Sequence, residues 1–251
     1  MQRLIFLLFL TSSYFFVYGQ EEKEYQKAVS TFISYFKSSN KEKLAATINF
    51  PLEREYPIPD IKNKQEFLKR FNEIFDYSLI KMIMTSNPSG DWSAMGWRGI
   101  MFSDGKVWLD YDGKLIAVNY QSEFEKKRWK ELVQTDKNNL HESIKNFERP
   151  VYLLETTKYR IRIDDLGDCG YRYSSWSIKS KMSDKPDLVI MNGEFIQEGS
   201  GGNCTYEFKN GEHVYDCSII IIGEENSPPA LLTIFKDAKE ILSQKAKIIR
   251  K

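Results

Sequence analysis

The segment Cys204-Thr-Tyr-Glu-Phe-Lys-Asn-Gly-Glu-His-Val-Tyr-Asp-Cys217 alternates apolar and polar residues on both sides of Asn210-Gly211, a strong signal for a two-residue hairpin. With Asn210-Gly211 as the turn, Cys204 stands opposite Cys217 on a non-hydrogen-bonded rung, where side chains approach most closely. A disulfide is expected there; the alternative is two reduced cysteines in a core. Tyr206, Phe208, His213 and Tyr215 share the cysteine face, while Glu207, Lys209, Glu212 and Asp216 point the other way. Cys169 is left over, in Asp164-Asp-Leu-Gly-Asp-Cys-Gly170, as a free thiol. A lone thiol with no histidine nearby in sequence gives no nucleophile signature.

Outward from the hairpin, the same period-two patterning recurs between turn signals. Strands are expected at Val151–Glu155, Lys158–Asp164, Tyr171–Ile178, Leu188–Gln197, Thr205–Lys209, His213–Gly223, Ala230–Lys236 and Glu240–Ile249. Eight short strands in so few residues read as a mostly antiparallel β domain over 149–251, a sandwich or barrel-like meander. Upstream, residues 122–148 are highly charged but keep Phe124, Trp129, Leu132, Val133, Leu140 and Ile144 near one face, which predicts a linking helix, either continuous or broken near Thr135-Asp136.

The N-terminal half reads differently. Tyr25, Ala28, Val29, Phe32, Ile33 and Phe36 follow helical spacing, so Glu21–Ser38 is expected as an amphipathic helix. Ser39-Asn-Lys-Glu42 is similar to a capping box opening a short helix. Asn63 with Glu66 opens a third, carrying Phe67, Phe71, Ile74 and Phe75. Beyond it Leu79–Ser86, Ser93–Phe102, Lys106–Tyr111 and Lys114–Tyr120 read as strands. The aromatic first helix, the helix around Phe67–Phe75 and the run Gly96-Trp-Arg-Gly-Ile-Met-Phe-Ser-Asp-Gly-Lys-Val-Trp108 resemble the NTF2-like, cystatin-related cone superfamily. That resemblance implies an α+β domain over 20–121, with helices on a curved antiparallel sheet and a conical pocket between them. The superfamily includes enzymes, small-molecule binders and protein-binding members, so the fold does not fix the function.

Residues 1–19 read as a signal peptide: Arg3 is the only charge, and the apolar run Leu4–Tyr18 ends at Gly19. The run is about five residues too short to span a bilayer comfortably, and no cysteine offers a lipid anchor near its end. An exported chain, periplasmic or secreted and without a membrane anchor after cleavage, is expected. The full chain carries 36 Lys+Arg against 35 Asp+Glu, a net charge of +1, so no global field draws it to nucleic acid.

Candidate chemistry is sparse. Two histidines and three cysteines leave few ligands for a transition metal. Asp164, Asp165 and Asp168 crowd one turn but lack the regular oxygen ladder of a calcium loop. Gly199-Ser-Gly-Gly202 is followed by a strand and by no Lys-Ser/Thr, so it is no phosphate cradle. Neither a cofactor nor a catalytic residue is expected. Arg160 and Arg162 alternate with Tyr159, Ile161 and Ile163, and Arg172 with Trp176 stands on the next strand. Three guanidinium groups beside an indole could grip a carboxylate, a phosphate or an acidic protein surface. The alternative is a solvated sheet face paired with Asp164 and Glu155. In the cone, Asp110, Trp92, Trp97 and Trp108 are the pocket candidates, although aromatic residues at strand spacing more often fill a core. The expected function is therefore binding without catalysis, of inhibitor or immunity type, capping a protein partner through loops of the β domain, first the 199–217 loop and hairpin. The alternative is an NTF2-like enzyme or carrier holding a small apolar molecule in the cone.

Overall fold

A computed structural model describes residues 25–250, and the side chains of all these but Arg250. The signal-peptide reading lies outside the described residues. The chain divides into two compact units, with the boundary between Arg128 and Trp129.

The first unit opens with helix α1, residues 25–37, whose Val29, Phe32, Ile33 and Phe36 are buried. Helix α2 (Lys41–Ala45) follows, and its cap is Asn40 rather than Ser39, accepting the Lys43 N–H at 3.0 Å. Helix α3 (Lys64–Ile74) starts where its sequence says: Asn63 accepts the Glu66 N–H, and the Glu66 carboxylate takes the Lys62 N–H in return. The expected strand at Leu79–Ser86 is instead helix α4 (Tyr77–Thr85). Asp76 caps it by accepting the Leu79 N–H at 2.9 Å, and its buried residues are Leu79 and Ile83, one helical turn apart. The expected strand Ser93–Phe102 is broken at Gly96–Arg98 by a 3-10 turn. A four-stranded antiparallel meander results: β1 (Trp92–Ala94), β2 (Ile100–Phe102), β3 (Val107–Leu109) and β4 (Leu115–Val118). One sheet face and the helices share a core rich in phenylalanine. Phe36, Phe67, Phe71 and Phe75 stand 5.2–6.4 Å apart in edge, tilted and stacked pairs.

Helix α5 (Glu123–Asn138) spans the unit boundary. In the first unit, buried Glu125 holds the buried Arg54 guanidinium, with one bond from Nε at 2.8 Å, and Arg54 also donates to the Val118 and Tyr120 carbonyls.

In the second unit all eight expected strands form. They are β5 (Arg149–Glu155), β6 (Tyr159–Asp165), β7 (Tyr171–Ser177), β8 (Leu188–Glu198), β9 (Asn203–Asn210), β10 (His213–Ile219), β11 (Ala230–Lys236) and β12 (Lys239–Arg250). Each pairs antiparallel with the next, and β12 pairs back onto β5, closing a barrel. Between the sandwich and barrel alternatives, closure is what removes the exposed edges. An eight-stranded barrel is just narrow enough for its own side chains to fill. Leu154, Ile161, Ile163, Tyr173, Phe208, Cys217 and Leu232 do so here. Phe208 lies against Gly193, where an added Cβ would come within 2.1 Å of the ring.

The Cys204–Cys217 disulfide is absent, and all three cysteines are free. The hairpin pairs Asn210 with His213, so its loop is Gly211-Glu212 rather than Asn210-Gly211. Cys204 therefore faces Ile219, and Cys217 faces Tyr206. Gly211 takes φ +60° and Glu212 stays at negative φ, which is the II′ pattern of Gly followed by any residue.

Candidate functional site

The antiparallel register of β6 and β7 sets Arg160 beside Trp176, Arg162 beside Ser174 and Asp164 beside Arg172, all on the outer face of the barrel. The sequence thus places the four candidate binding residues together. That face, however, is covered within the second unit. Val133, Leu140, Ile144, Phe147 and Trp176 form a separate cluster there, with Trp129, Leu166 and Met182 packed against it. Arg162 is 1% exposed. Its Nη2 lies 2.7 Å from both Asp136 and Asp164, Nε donates to Asp164 at 2.8 Å, and the guanidinium sits 4.8 Å over the Phe147 ring. Burial opposes its charge, yet Asp164 and Asp136 outweigh that and hold its pKa above the usual arginine value. Buried Arg172 donates to the Ile144 and Asn146 carbonyls at 2.6 and 2.9 Å and to Asp164 at 2.7 Å. Trp176 Nε1 donates to the Asp184 carbonyl. Arg160 is half-buried, with Glu155 at 2.8 Å and the Ser180 carbonyl at 2.7 Å. Two guanidinium groups against Asp136 and Asp164 make a charge-neutral network that fastens residues 136–147 to the barrel wall, while Arg162 Nη1, Arg172 Nε and Ser174 Oγ stay buried without a hydrogen bond among the described residues. These groups are engaged with their own chain rather than open to an outside anion.

The pocket candidates of the first unit do not converge. Trp92 faces the core, stacked on Phe102 at 4.6 Å, with its Nε1 donating to Ser86 Oγ. Trp108 pairs with Met101 and Ala117, on the opposite sheet face, and donates to the Gly105 carbonyl. Trp97 is 71% exposed in the 3-10 turn. Asp110 accepts the Lys114 N–H at 2.8 Å and so closes the β3–β4 turn. The acids of the 164–168 turn separate in the same way. Asp164 is inside the arginine network, whereas Asp165 accepts from Arg149 Nε and the Gly167 N–H. Among the described residues no group of three or more His, Cys, Asp or Glu is placed to hold a metal. His141 caps a 3-10 turn through Ser143.

The barrel end where β8 meets β9 and β10 meets β11 is built otherwise. There the inward aromatic residues continue to the rim. Tyr206 makes edge or tilted contacts with Tyr152, Tyr171 and Phe195 at 5.8, 4.9 and 5.3 Å, and Phe195 is 47% exposed. Burial, then the adjacent Tyr152, Cys204 and Tyr171 groups, push the Tyr206 phenol up, so it stays neutral. Arg149 and Asp165 pair at 2.8 Å close by.

Beyond that rim, residues 220–229 leave the barrel as a loop in which Ile221 and Ile222 are each 56% exposed. Asn203 holds them in place: its Oδ1 accepts both the Ile221 and Ile222 N–H groups at 2.8 and 2.9 Å, and its Nδ2 donates to the Ile222 carbonyl at 2.8 Å. The β8–β9 loop supplies the matching surface. An added Cβ on Gly201 would meet the Ile222 side chain at 2.9 Å, and Gly202 adopts φ +90°. Glu198, which pairs with Asn203, and Glu224 and Glu225 of the same loop are exposed beside this apolar group, and neither 194–205 nor 219–229 contains a Lys or Arg. The 199–202 loop had a sequence signal in its glycines. Ile221 and Ile222 did not, because the run Ser218-Ile-Ile-Ile-Ile222 reads as a continuing strand. Only Gly223 and Pro228-Pro229 hint that pairing stops early.

No family model, no curated protein and no solved structure matches the chain.

Proposed function

We propose that the protein is an exported, non-catalytic binding protein whose barrel unit docks a protein partner through the β8–β9 and β10–β11 loops. The observation that carries this reading is the fixed display of Ile221 and Ile222. A polar side chain and two glycine positions hold two large aliphatic groups in water, which costs solvation unless a partner covers them. A loop ordered in advance loses less entropy on association. The carboxylates around the pair give the partner its chemistry: an apolar recess ringed by Lys or Arg. In the first unit, the helices and the four-stranded meander support the NTF2-like reading of residues 20–121, there as a scaffold whose aromatic core is self-filled.

The test is a photo-crosslinking amino acid at position 222 in the full chain, expressed in its own compartment. A single basic protein should be captured. Its binding to the purified chain should weaken by roughly 100-fold in Ile221→Ser/Ile222→Ser, the loss expected when about 3 kcal/mol of apolar burial is removed. It should also fall with salt. Undiminished affinity of that double variant, or no crosslinked partner, sinks the proposal.

A further inference from the structure

A groove of about 220 Å³ opens among α1, α2, α3 and α4 in the first unit, away from every candidate named above. Its floor and walls are Tyr35, Phe36, Leu44, Phe71, Ile80 and Met84. Cavities of roughly 150 Å³ with aliphatic and aromatic walls admit benzene, while pockets for drug-sized ligands begin at about 300 Å³. The size fits a short alkyl chain or a single ring.

The charged groups lining this groove are both cationic, beside the neutral Ser39 and Asn72. Lys37 and Lys41 both line it, and among the described residues neither has a carboxylate within ion-pair distance. Lys37 is exposed. Lys41 is half-buried and held in place, with its Nζ 4.2 Å over the Phe71 ring and donating to Asn72 Oδ1 at 3.1 Å. An ammonium has three donors. One goes to the neutral amide, and the others remain for a ligand at the boundary between apolar floor and water. Among the described residues Arg54 meets Glu125, Arg162 meets Asp164, and Arg70 meets Glu66 and Glu73, whereas Lys137 is held as Lys41 is, over the Phe147 ring and donating to a neutral oxygen.

We propose that this groove binds a small anionic amphiphile, a carboxylate with a short alkyl or single-ring tail. The head pairs with Lys41 and Lys37, and the tail lies against Phe36, Leu44, Ile80 and Met84. The cation fixes the polarity of the ligand, because a cationic head would be repelled at the same rim. This site is independent of partner docking at the barrel, and either can fail without the other.

The experiment is calorimetric titration of the full chain with octanoate, octylammonium and octan-1-ol. Octanoate is expected to bind, octan-1-ol about tenfold more weakly, and octylammonium weakest. Lys41→Gln should bring octanoate down to the level of the alcohol while leaving the alcohol unchanged. Met84→Trp, which fills the groove, should weaken both. Equal binding of octanoate and octylammonium, or no octanoate binding to the wild-type chain, overturns the proposal. The probe comparison needs no variant, so a variant that misfolds does not shield it.

Discussion

Asp164 has no exposed surface and faces two guanidinium groups, one on its own strand and one on the next. Its carboxylate is the one group both arginines share. Asp164→Ala should therefore cost about 3–5 kcal/mol, because it leaves buried positive charge uncompensated. An apolar triple replacement, Arg162→Met/Asp164→Leu/Arg172→Met, should cost far less, since it removes the charges together. Urea midpoints of the two variants check this, and a mild loss in Asp164→Ala would show that the network is solvated. At this scale the sequence was half legible. Alternation put Arg160, Arg162, Arg172 and Trp176 on one face, as the register shows. It could not show what covers that face, because the cover comes from residues 129–147, and one of its acids, Asp136, lies in a helix far off in sequence.

The β9–β10 hairpin shows what periodicity can and cannot resolve. Moving the turn from Asn210-Gly211 to Gly211-Glu212 shifts the pairing by two residues, an even step. Every side chain keeps its face, and Tyr206, Phe208 and Cys217 stay in the core under either register. Only cross-strand partners change, and with them the disulfide. In the folded protein a thiol reagent should label exposed Cys169 alone, while Cys204 and Cys217 react only after unfolding, because burial pushes both thiols up and hides them. Non-reducing peptide mapping that recovers a Cys204–Cys217 link would refute this register. Helix α4 is the companion case. Tyr77–Thr85 carries an apolar run short enough to suit either element, and the Asp76 cap decided for the helix.

Two separate cores, one rich in phenylalanine and one inside the barrel, divide the chain between Arg128 and Trp129. Gly193→Ala tests the division. The added Cβ would sit 2.1 Å from Phe208, so the strand or the ring must move, at a cost of about 1–3 kcal/mol. Hydrogen exchange should quicken in β5–β12 while α1, α3 and β1–β4 keep their protection. An equal loss of protection in both units would mean that they unfold together.

The amino-acid sequence alone determined the eight barrel strands, the helix over residues 25–37 and the cap at Asn63, because alternation, helical spacing and capping are local signals. In the β9–β10 hairpin it also determined that Tyr206, Phe208 and Cys217 face inward. Tertiary structure alone decided that the last sheet closes, since closure is a pairing of β12 with β5 across nearly the whole second unit. It likewise decided that the arginine face is buried, that the cysteines miss each other by one rung pair, and that Ile221 and Ile222 stand in solvent. Each of these depends on which distant segment arrives at a surface, and one chain's local pattern carries no record of that arrival.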